Sequence, residues 1–243
     1  MKTGRTYFVA DLHLTDERPA ATGRFFRFLD EEVAGADALY ILGDLFEAWI
    51  GDDHDEAVAR DTARRLKALA AAGTPVYFLH GNRDFMLAAP YARQAGMHLI
   101  DEPALVDLYG TPTLLMHGDT LCTDDVAYQR FRSRVRTPFV LAALRRLPFA
   151  LRRRLARQAR AGSETAKAAK TSAIMDVNDD AVVRAMRSRH VCRLIHGHTH
   201  RPARHTHAID GTPCERWVVP DWYARWGYVV CDTAGCALEI GDL

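Results

Sequence analysis

Five short apolar runs in this chain each stop at a polar side chain beside a small residue. Asp11 and His13 follow "YFVA", Asp44 follows "LYILG", Asn82 follows "YFLHG", His117 follows "TLLM", and His198 and His200 follow "RLIHG". Runs that are apolar without alternation read as strands covered on both faces. Gly43, Gly81, Gly118 and Gly197 permit tight turns and close backbone approach where strand meets loop. One such strand end would merely cap a turn. Five imply a sheet that gathers its polar groups beyond the carboxyl ends of its strands.

The segments between these strands are helical in pattern. Thr22 to Val33 carries apolar Phe25, Phe26, Phe28 and Leu29; Asp55 to Ala72 is a long helical stretch closed by Gly73 before Pro75; Phe85 to Gln94 reads as a third helix. "GMHLIDEPALVDL" suggests short strands that could pair antiparallel. From Cys122 to Arg189 no strand-like run occurs and the pattern is helical, punctuated by Pro138 and Pro148. Strands resume at "VCRLIHG" and continue through "RWVVP", "GYVVCD" and "CALEI". The expected fold is an α/β sandwich from residues 1–121 and 190–243, with a helical insertion at 122–189.

Lys and Arg total 32 against 31 Asp and Glu, so the chain as a whole is no polyanion binder, although local charge still counts. No window approaches the roughly 18 unbroken apolar residues of a membrane span. The N-terminal "MKTGRTYFVAD" enters a strand without a signal peptide's apolar stretch, which predicts a cytosolic chain. The five cysteines form no C-x-x-C pair, so small buried thiols are expected rather than disulfides or a thiolate zinc site.

The seven polar groups at the strand ends are two carboxylates, one amide oxygen and four imidazoles. Without sulfur, the set suits Mn²⁺, Fe or Zn, and suits Ca²⁺ less because calcium prefers oxygen alone. Seven donors exceed what one catalytic ion needs with an open position. They match two ions about 4 Å apart, sharing a bridging carboxylate and a bridging hydroxide, which suits phosphoryl chemistry.

"DLH", "GD", "GNRD", "HGD" and "GHTH" occur in the order and rough spacing of the calcineurin-like metallophosphoesterases, which the chain resembles over nearly all of its non-insertion part. The resemblance implies the calcineurin-like α/β sandwich and a centre of two divalent ions, with Mn²⁺ favoured. It places Asp11, His13, Asp44 and His200 on the first ion, with Asp44 bridging, and Asn82, His117 and His198 on the second. His196 reads as a core histidine or a support behind the ligands. His205 and His207 read as strand residues without a role.

Where the wider family carries histidine after the asparagine, this chain has Arg83. Guanidinium stays charged, so Arg83 cannot protonate a leaving alkoxide. It can clamp phosphate oxygens and stabilise developing charge. A leaving group expelled without a proton donor should already be a stable anion, which points to a diphosphate rather than an alkyl phosphomonoester. Asp44, Asn82, Arg83 and His117 form the expected catalytic group.

"GNRDF" together with "ILGDLFEAWIGDD", "HGDTLCTDD", "AIMDVN" and "IHGHTHRP" is similar to the branch of that family acting in lipid A biosynthesis. That branch splits an acylated nucleotide-sugar diphosphate into UMP and the acylated sugar 1-phosphate. The similarity implies substrate contacts from Asn82, Arg83, Asp125, Ser163, Lys170 and His198, and from Lys167, which stands where related sequences more often carry asparagine. Ser163, Lys167 and Lys170 fall at i, i+4 and i+7, one helix face whose hydroxyl and ammonium groups suit a sugar phosphate.

The insertion interleaves Phe139, Val140, Leu141, Leu144, Leu147, Phe149, Leu151 and Leu155 with a dense run of arginines. One reading is a lid that holds acyl chains while its basic residues meet phosphate or anionic headgroups; the other is a hairpin packed on itself with a solvated basic face. The family resemblance favours the lid. It also implies a protein peripheral to the cytoplasmic face of the inner membrane, with no nucleic acid and no obligate protein partner. The alternative is another dimetal phosphodiesterase, such as a nuclease or nucleotide phosphatase, whose arginines track a nucleic acid backbone. "RRRLARQAR" lacks the aromatic platforms that would favour single strands.

Overall fold

The structure, a computed structural model, describes residues 4–53, 56–168 and 176–243, with residues 163–168 as backbone only. β1 (Thr6–Val9), β2 (Ala38–Ile41) and β3 (Val76–Phe78) run parallel, linked by α1 (Pro19–Glu31) and α2 (Ala57–Ala71). α3 (Ala89–Ala95) leads into β4 (Met97–Leu99), and the chain then crosses to a second sheet at β5 (Ala104–Leu108) and β6 (Thr111–Met116). Four helices follow: α4 (Val126–Val135), α5 (Pro138–Arg146), α6 (Phe149–Ala168) and α7 (Asp179–Ser188). The strands β7 (Arg193–His196), β8 (Ala203–Ile209), β9 (Thr212–Val218), β10 (Arg225–Asp232) and β11 (Gly235–Asp242) complete the fold. The first sheet has the order β11-β10-β1-β2-β3-β4 and the second β5-β6-β7-β9-β8.

Residues alternate between two cores along each buried strand, because successive side chains leave opposite faces of a sheet. Tyr7 and Val9 pack with Phe25, Phe28 and Leu66 under α1 and α2, while Phe8 and Ala10 meet Leu115, Ile195 and Trp217 between the sheets. Leu114, Met116 and Leu194 face the other way, against Ala181, Val182 and Met186 of α7. The strands look uniformly apolar in sequence for this reason. Each fully buried Leu, Ile, Val or Phe contributes about 1.5–3 kcal/mol, and the result is a helix–sheet–sheet–helix sandwich.

Three expectations need correction. The third helix starts at Ala89 rather than Phe85, because its first turn is held from a distance: Asp52 accepts hydrogen bonds from the backbone N–H groups of Ala88 and Tyr91, both at 3.0 Å. In "GMHLIDEPALVDL", β4 runs parallel to β3, and only β5 pairs antiparallel, with β6. Cys231 and Cys236 are disulfide-bonded; they lie directly opposite in the β10–β11 hairpin with Cα atoms 4.0 Å apart. The turn that sets this register, Thr233-Ala234, carries no hairpin signature. Cys122 and Cys214 are buried thiols and Cys192 is exposed. No helix among the described residues is long and apolar enough to cross a membrane.

Candidate metal centre

β1, β2 and β3 in one sheet and β6 and β7 in the other deliver their C-terminal loops to one place. Asp11 N–H donates to Gly43 O at 3.1 Å, Gly197 N–H donates to His117 O at 2.9 Å, and His198 N–H donates to the Asp11 carboxylate at 2.6 Å, stitching the loops together. Asp11, His13, Asp44, His198 and His200 all have left-handed backbone, with φ between 48° and 70°. That conformation costs a non-glycine residue about 1–2 kcal/mol and concentrates at functional sites. A Cβ on Gly81 would fall inside the Asp44 carboxylate and one on Gly197 inside that of Asp11, so both positions need glycine for close approach.

The side chains converge. His13 Nε2 is 3.9 Å from Asp11 Oδ1 and from Asp44 Oδ2, and His200 Nε2 is 3.5 Å from Asp11 Oδ1. His117 Nε2 is 3.9 Å from Asp44 Oδ1 and 3.1 Å from Asn82 Oδ1. The His198 ring lies 5.0 Å from that of His117. Two sets could hold a cation, Asp11–His13–His200 and Asp11–Asp44–His117, each with ligand atoms within 4.8 Å of one another. Asp44 faces both, with Oδ2 toward His13 and Oδ1 toward His117.

Donor chemistry and burial fit metal ions. Asp11 Oδ1 and His13 Nε2 are buried with no hydrogen-bond partner among the described residues, a state that costs about 1–3 kcal/mol per group unless something meets it. His117 Nδ1 lies 2.9 Å from Leu42 O, so in the neutral ring Nδ1 carries the proton and the Nε2 lone pair points into the site, beside Asn82 Oδ1. Burial pushes the His117 imidazole down, but the carboxylates of Asp44, Asp11, Asp119 and Glu102 outweigh it and raise its pKa to about 9. Burial alone would raise Asp11; His200, His117 and His13 hold it well below the usual carboxylate range. Asp44 goes the other way, because burial outweighs the pull of His117. Burial, and then the His117 charge, hold His198 down at about 3. The carboxylates thus draw positive charge onto His117, charge that divalent cations would supply in its place.

Support behind these groups was missed in the sequence. Glu47 accepts from the Tyr223 hydroxyl at 3.0 Å, and the Tyr223 ring lies 4.8 Å from that of His13, tilted by 34°. Asp119 accepts from Tyr128 Oη at 2.5 Å and Arg132 Nε at 2.7 Å, and Arg136 donates to Gly81 O at 2.8 Å, fastening α4 to the site loops. Asp84 holds the Asn82–Arg83 loop by accepting from Gly81 N–H and Leu45 N–H at 2.8 and 2.7 Å. A carboxylate inside the apolar run "DLFEAW" was the available signal for Glu47.

Arg83 stands at the rim, its side chain 24 % exposed, with its N–H donating to Asp44 Oδ1 at 2.7 Å and Nη1 3.5 Å from Glu47 Oε1. Asp125 caps α4, accepting from Tyr128 N–H at 3.1 Å. Ser163 and Lys167 lie on the backbone of α6, and Lys170 lies outside the described residues. His196 is a buried histidine hydrogen-bonded to Gly197 O, and His205 and His207 are on β8. The arginine run divides: Arg152 is buried on Ile50 O and Asp53, Arg160 holds Glu47, and Arg153, Arg154 and Arg157 are exposed.

The sequence pattern of the calcineurin-like phosphoesterases matches residues 4–202, and the chain belongs to that family. Its relatives include the UDP-2,3-diacylglucosamine hydrolase of Enterobacter sp. (strain 638), 48% identical over 96% of this chain and 97% of that protein. Those of Klebsiella pneumoniae subsp. pneumoniae and Escherichia coli O7:K1 are 51% and 50% identical, each over 92% of this chain and 93% of theirs.

Proposed function

We propose that this chain hydrolyses the diphosphate of UDP-2,3-diacylglucosamine to UMP and 2,3-diacylglucosamine 1-phosphate, a step of lipid A biosynthesis. The observation that carries the reading is a full donor set with Arg83 at its rim, where the wider family carries histidine, in a chain about half identical to relatives of that name. Asp11, His13, Asp44 and His200 would hold one divalent cation and Asn82, His117 and His198, with Asp44, a second; Mn²⁺ suits this mix of oxygen and imidazole. When bound, such ions polarise phosphoryl oxygens and make water a nucleophile at neutral pH.

The chain's own residues do the rest. Water attacks the UMP-side phosphorus in line and gives up a proton to the surrounding solvent as the new P–O bond forms, the bond to the bridging oxygen breaks, and the acylated sugar 1-phosphate departs as an anion that needs no proton. Arg83 binds non-bridging oxygens as charge builds, and Asn82 and His198 position the same phosphate. Asp125, Ser163, Lys167 and Lys170 contact the sugar phosphate. α5 and α6 form a lid on which exposed Phe139, Leu151 and Leu155 meet acyl chains, while Arg153, Arg154 and Arg157 face anionic headgroups at the cytoplasmic face of the inner membrane.

The test offers the purified protein the lipid nucleotide, bis-p-nitrophenyl phosphate and single-stranded DNA in parallel. We expect the lipid nucleotide to be turned over with by far the highest kcat/KM, and Asp44→Ala to abolish turnover. Preference for DNA, or an Asp44→Ala variant with near wild-type turnover, would overturn the reading.

A further inference from the structure

A cavity of about 380 Å³ opens beside the metal centre, sharing His200 with it and walled by Thr199, His205, Arg216, Arg225 and the Arg201–Asp176 ion pair. Nothing in the reaction above uses its basic wall. Arg216 is only 5% exposed. Its Nη1 lies 3.2 Å from His196 Nε2, and its Nε donates to His207 Nε2 at 3.2 Å. His196 Nδ1 sits 2.8 Å from Gly197 O, so a neutral His196 protonated on Nδ1 accepts from Arg216 at Nε2.

Neither imidazole neutralises the guanidinium. Both meet it through a ring nitrogen at 3.2 Å, and an imidazole that accepts there carries no negative charge to offer. No carboxylate forms an ion pair with Arg216 among the described residues; Asp176 and Asp179 act on it from farther away, and Asp176 is engaged by Arg201. A buried cation without a counter-ion is expensive unless a ligand meets it. The wall has another unmet group, since Thr199 Oγ1 is buried without a hydrogen-bond partner among the described residues. Arg225 adds a cation whose nearest carboxylate, Asp221, is 3.8 Å away.

Size narrows the ligand. Small-molecule sites run from roughly 300 to 1,000 Å³, so this one admits a nucleoside phosphate and not a pair of acyl chains. None of the apolar side chains of α5 or α6 lines it. We propose that the cavity seats the nucleoside monophosphate half of the substrate: the phosphate that Arg83 clamps lies at the His200 edge, with Arg216 and Arg225 facing it from the cavity side, and a ribose or pyrimidine oxygen accepts from Thr199. This assignment rests on the proposed diphosphate hydrolysis and names where that reaction's nucleotide half is held.

The experiment titrates UMP, uridine and inorganic phosphate separately into the full-length protein by calorimetry, both metal-loaded and chelator-treated. UMP should bind the chelator-treated protein more tightly than either fragment. Arg216→Lys keeps the charge but loses the planar fork, and should weaken UMP by about tenfold or more. Since Arg216 is buried, Arg225→Ala and Thr199→Val provide variants at the open wall. Each should raise KM for the lipid nucleotide several-fold more than KM for bis-p-nitrophenyl phosphate. UMP binding no tighter than phosphate, or unaltered in all three variants, would overturn the assignment even if the lipid nucleotide is hydrolysed. Tight, Arg216-dependent UMP binding by a protein that leaves the lipid nucleotide intact would instead uphold the nucleotide site and sink the proposed reaction.

Discussion

Glu47 Oε2 lies 3.5 Å from His13 Nδ1, while Oε1 of the same carboxylate is 3.5 Å from Arg83 Nη1 and paired with the Arg160 guanidinium. One side chain therefore joins a candidate ligand, the arginine at the rim and the helix α6. His13 Nδ1 has no hydrogen bond among the described residues, so Glu47 is its nearest orienting group. A carboxylate in that position favours the imidazole tautomer that binds a cation through Nε2.

Glu47→Gln retains the shape and removes the charge. It should lower affinity for Mn²⁺ by about 10- to 100-fold, as loss of such orienting groups does, measured as metal retained after dialysis against graded free ion. Arg160→Ala, which cuts only the tie to α6, should act on KM for the acylated substrate. If Glu47→Gln retains metal like wild type, the carboxylate serves the helix and not the centre.

Asp119 links the site to pH-dependent stability. It is fully buried and accepts from Tyr128, Arg132 and Arg136. Burial pushes its carboxyl up, yet His117, Arg136, His198 and Arg132 hold it well below the usual range. A depressed folded pKa means stability present above the unfolded value of about 3.9 and lost as pH falls through the folded one. Asp119→Asn should therefore cost about 3 kcal/mol near neutrality, the scale of a broken buried ion pair, and the deficit should shrink below about pH 4. Urea unfolding from pH 3 to 7 reads this directly. A deficit constant across that range would mean that the carboxyl titrates alike in the folded and unfolded chain and that its partners do not hold it down.

Much of the fold was legible because its signals are local. "YFVA", "LYILG" and "RLIHG" are buried on both faces, and such strands announce themselves by composition. The metal-competent residues were legible because each stands at the end of one of those runs. What stayed hidden depends on partners distant in sequence. The start of α3 is set by Asp52, the disulfide by a hairpin register, and the duties of Arg152 and Arg160 by carbonyls and carboxylates about a hundred residues away. Within "RRRLARQAR" nothing local separates a buried clamp from an exposed cation.

The insertion's apolar residues also divide. Leu141 and Leu144 pack against the core, while Phe139 is 84 % exposed. Phe139→Asp should leave stability within about 0.5 kcal/mol of wild type, as exposed sites do, and raise KM for the acylated substrate far more than for a deacylated analogue. Leu144→Asp, by contrast, should lower the melting temperature. Equal kinetic effects of Phe139→Asp on both substrates would show that α5 plays no part in holding acyl chains.

Arg83 gives the sharpest test of the chemistry. Its N–H is anchored to Asp44 Oδ1 at 2.7 Å and its guanidinium, half-buried at the rim, has only Glu47 as a close ionic partner among the described residues. A phosphate oxygen competing for that fork would form charge-assisted hydrogen bonds stronger than a 3.5 Å contact provides. Arg83→Ala should lower kcat by roughly 10²-fold or more if the side chain acts as a preorganised donor to developing charge. Arg83→Lys should recover only part of this, since a point charge cannot span two oxygens. Arg83→His places a group that can donate a proton near neutral pH. It should improve turnover of alkyl or aryl phosphoesters relative to the diphosphate, because those leaving groups profit from a proton and a sugar phosphate does not. In isotopically labelled water the heavy oxygen should appear in UMP, the half whose phosphorus is attacked. Label in the acylated sugar phosphate would exchange nucleophile and leaving group, and the role assigned to Arg83 would fall with that exchange.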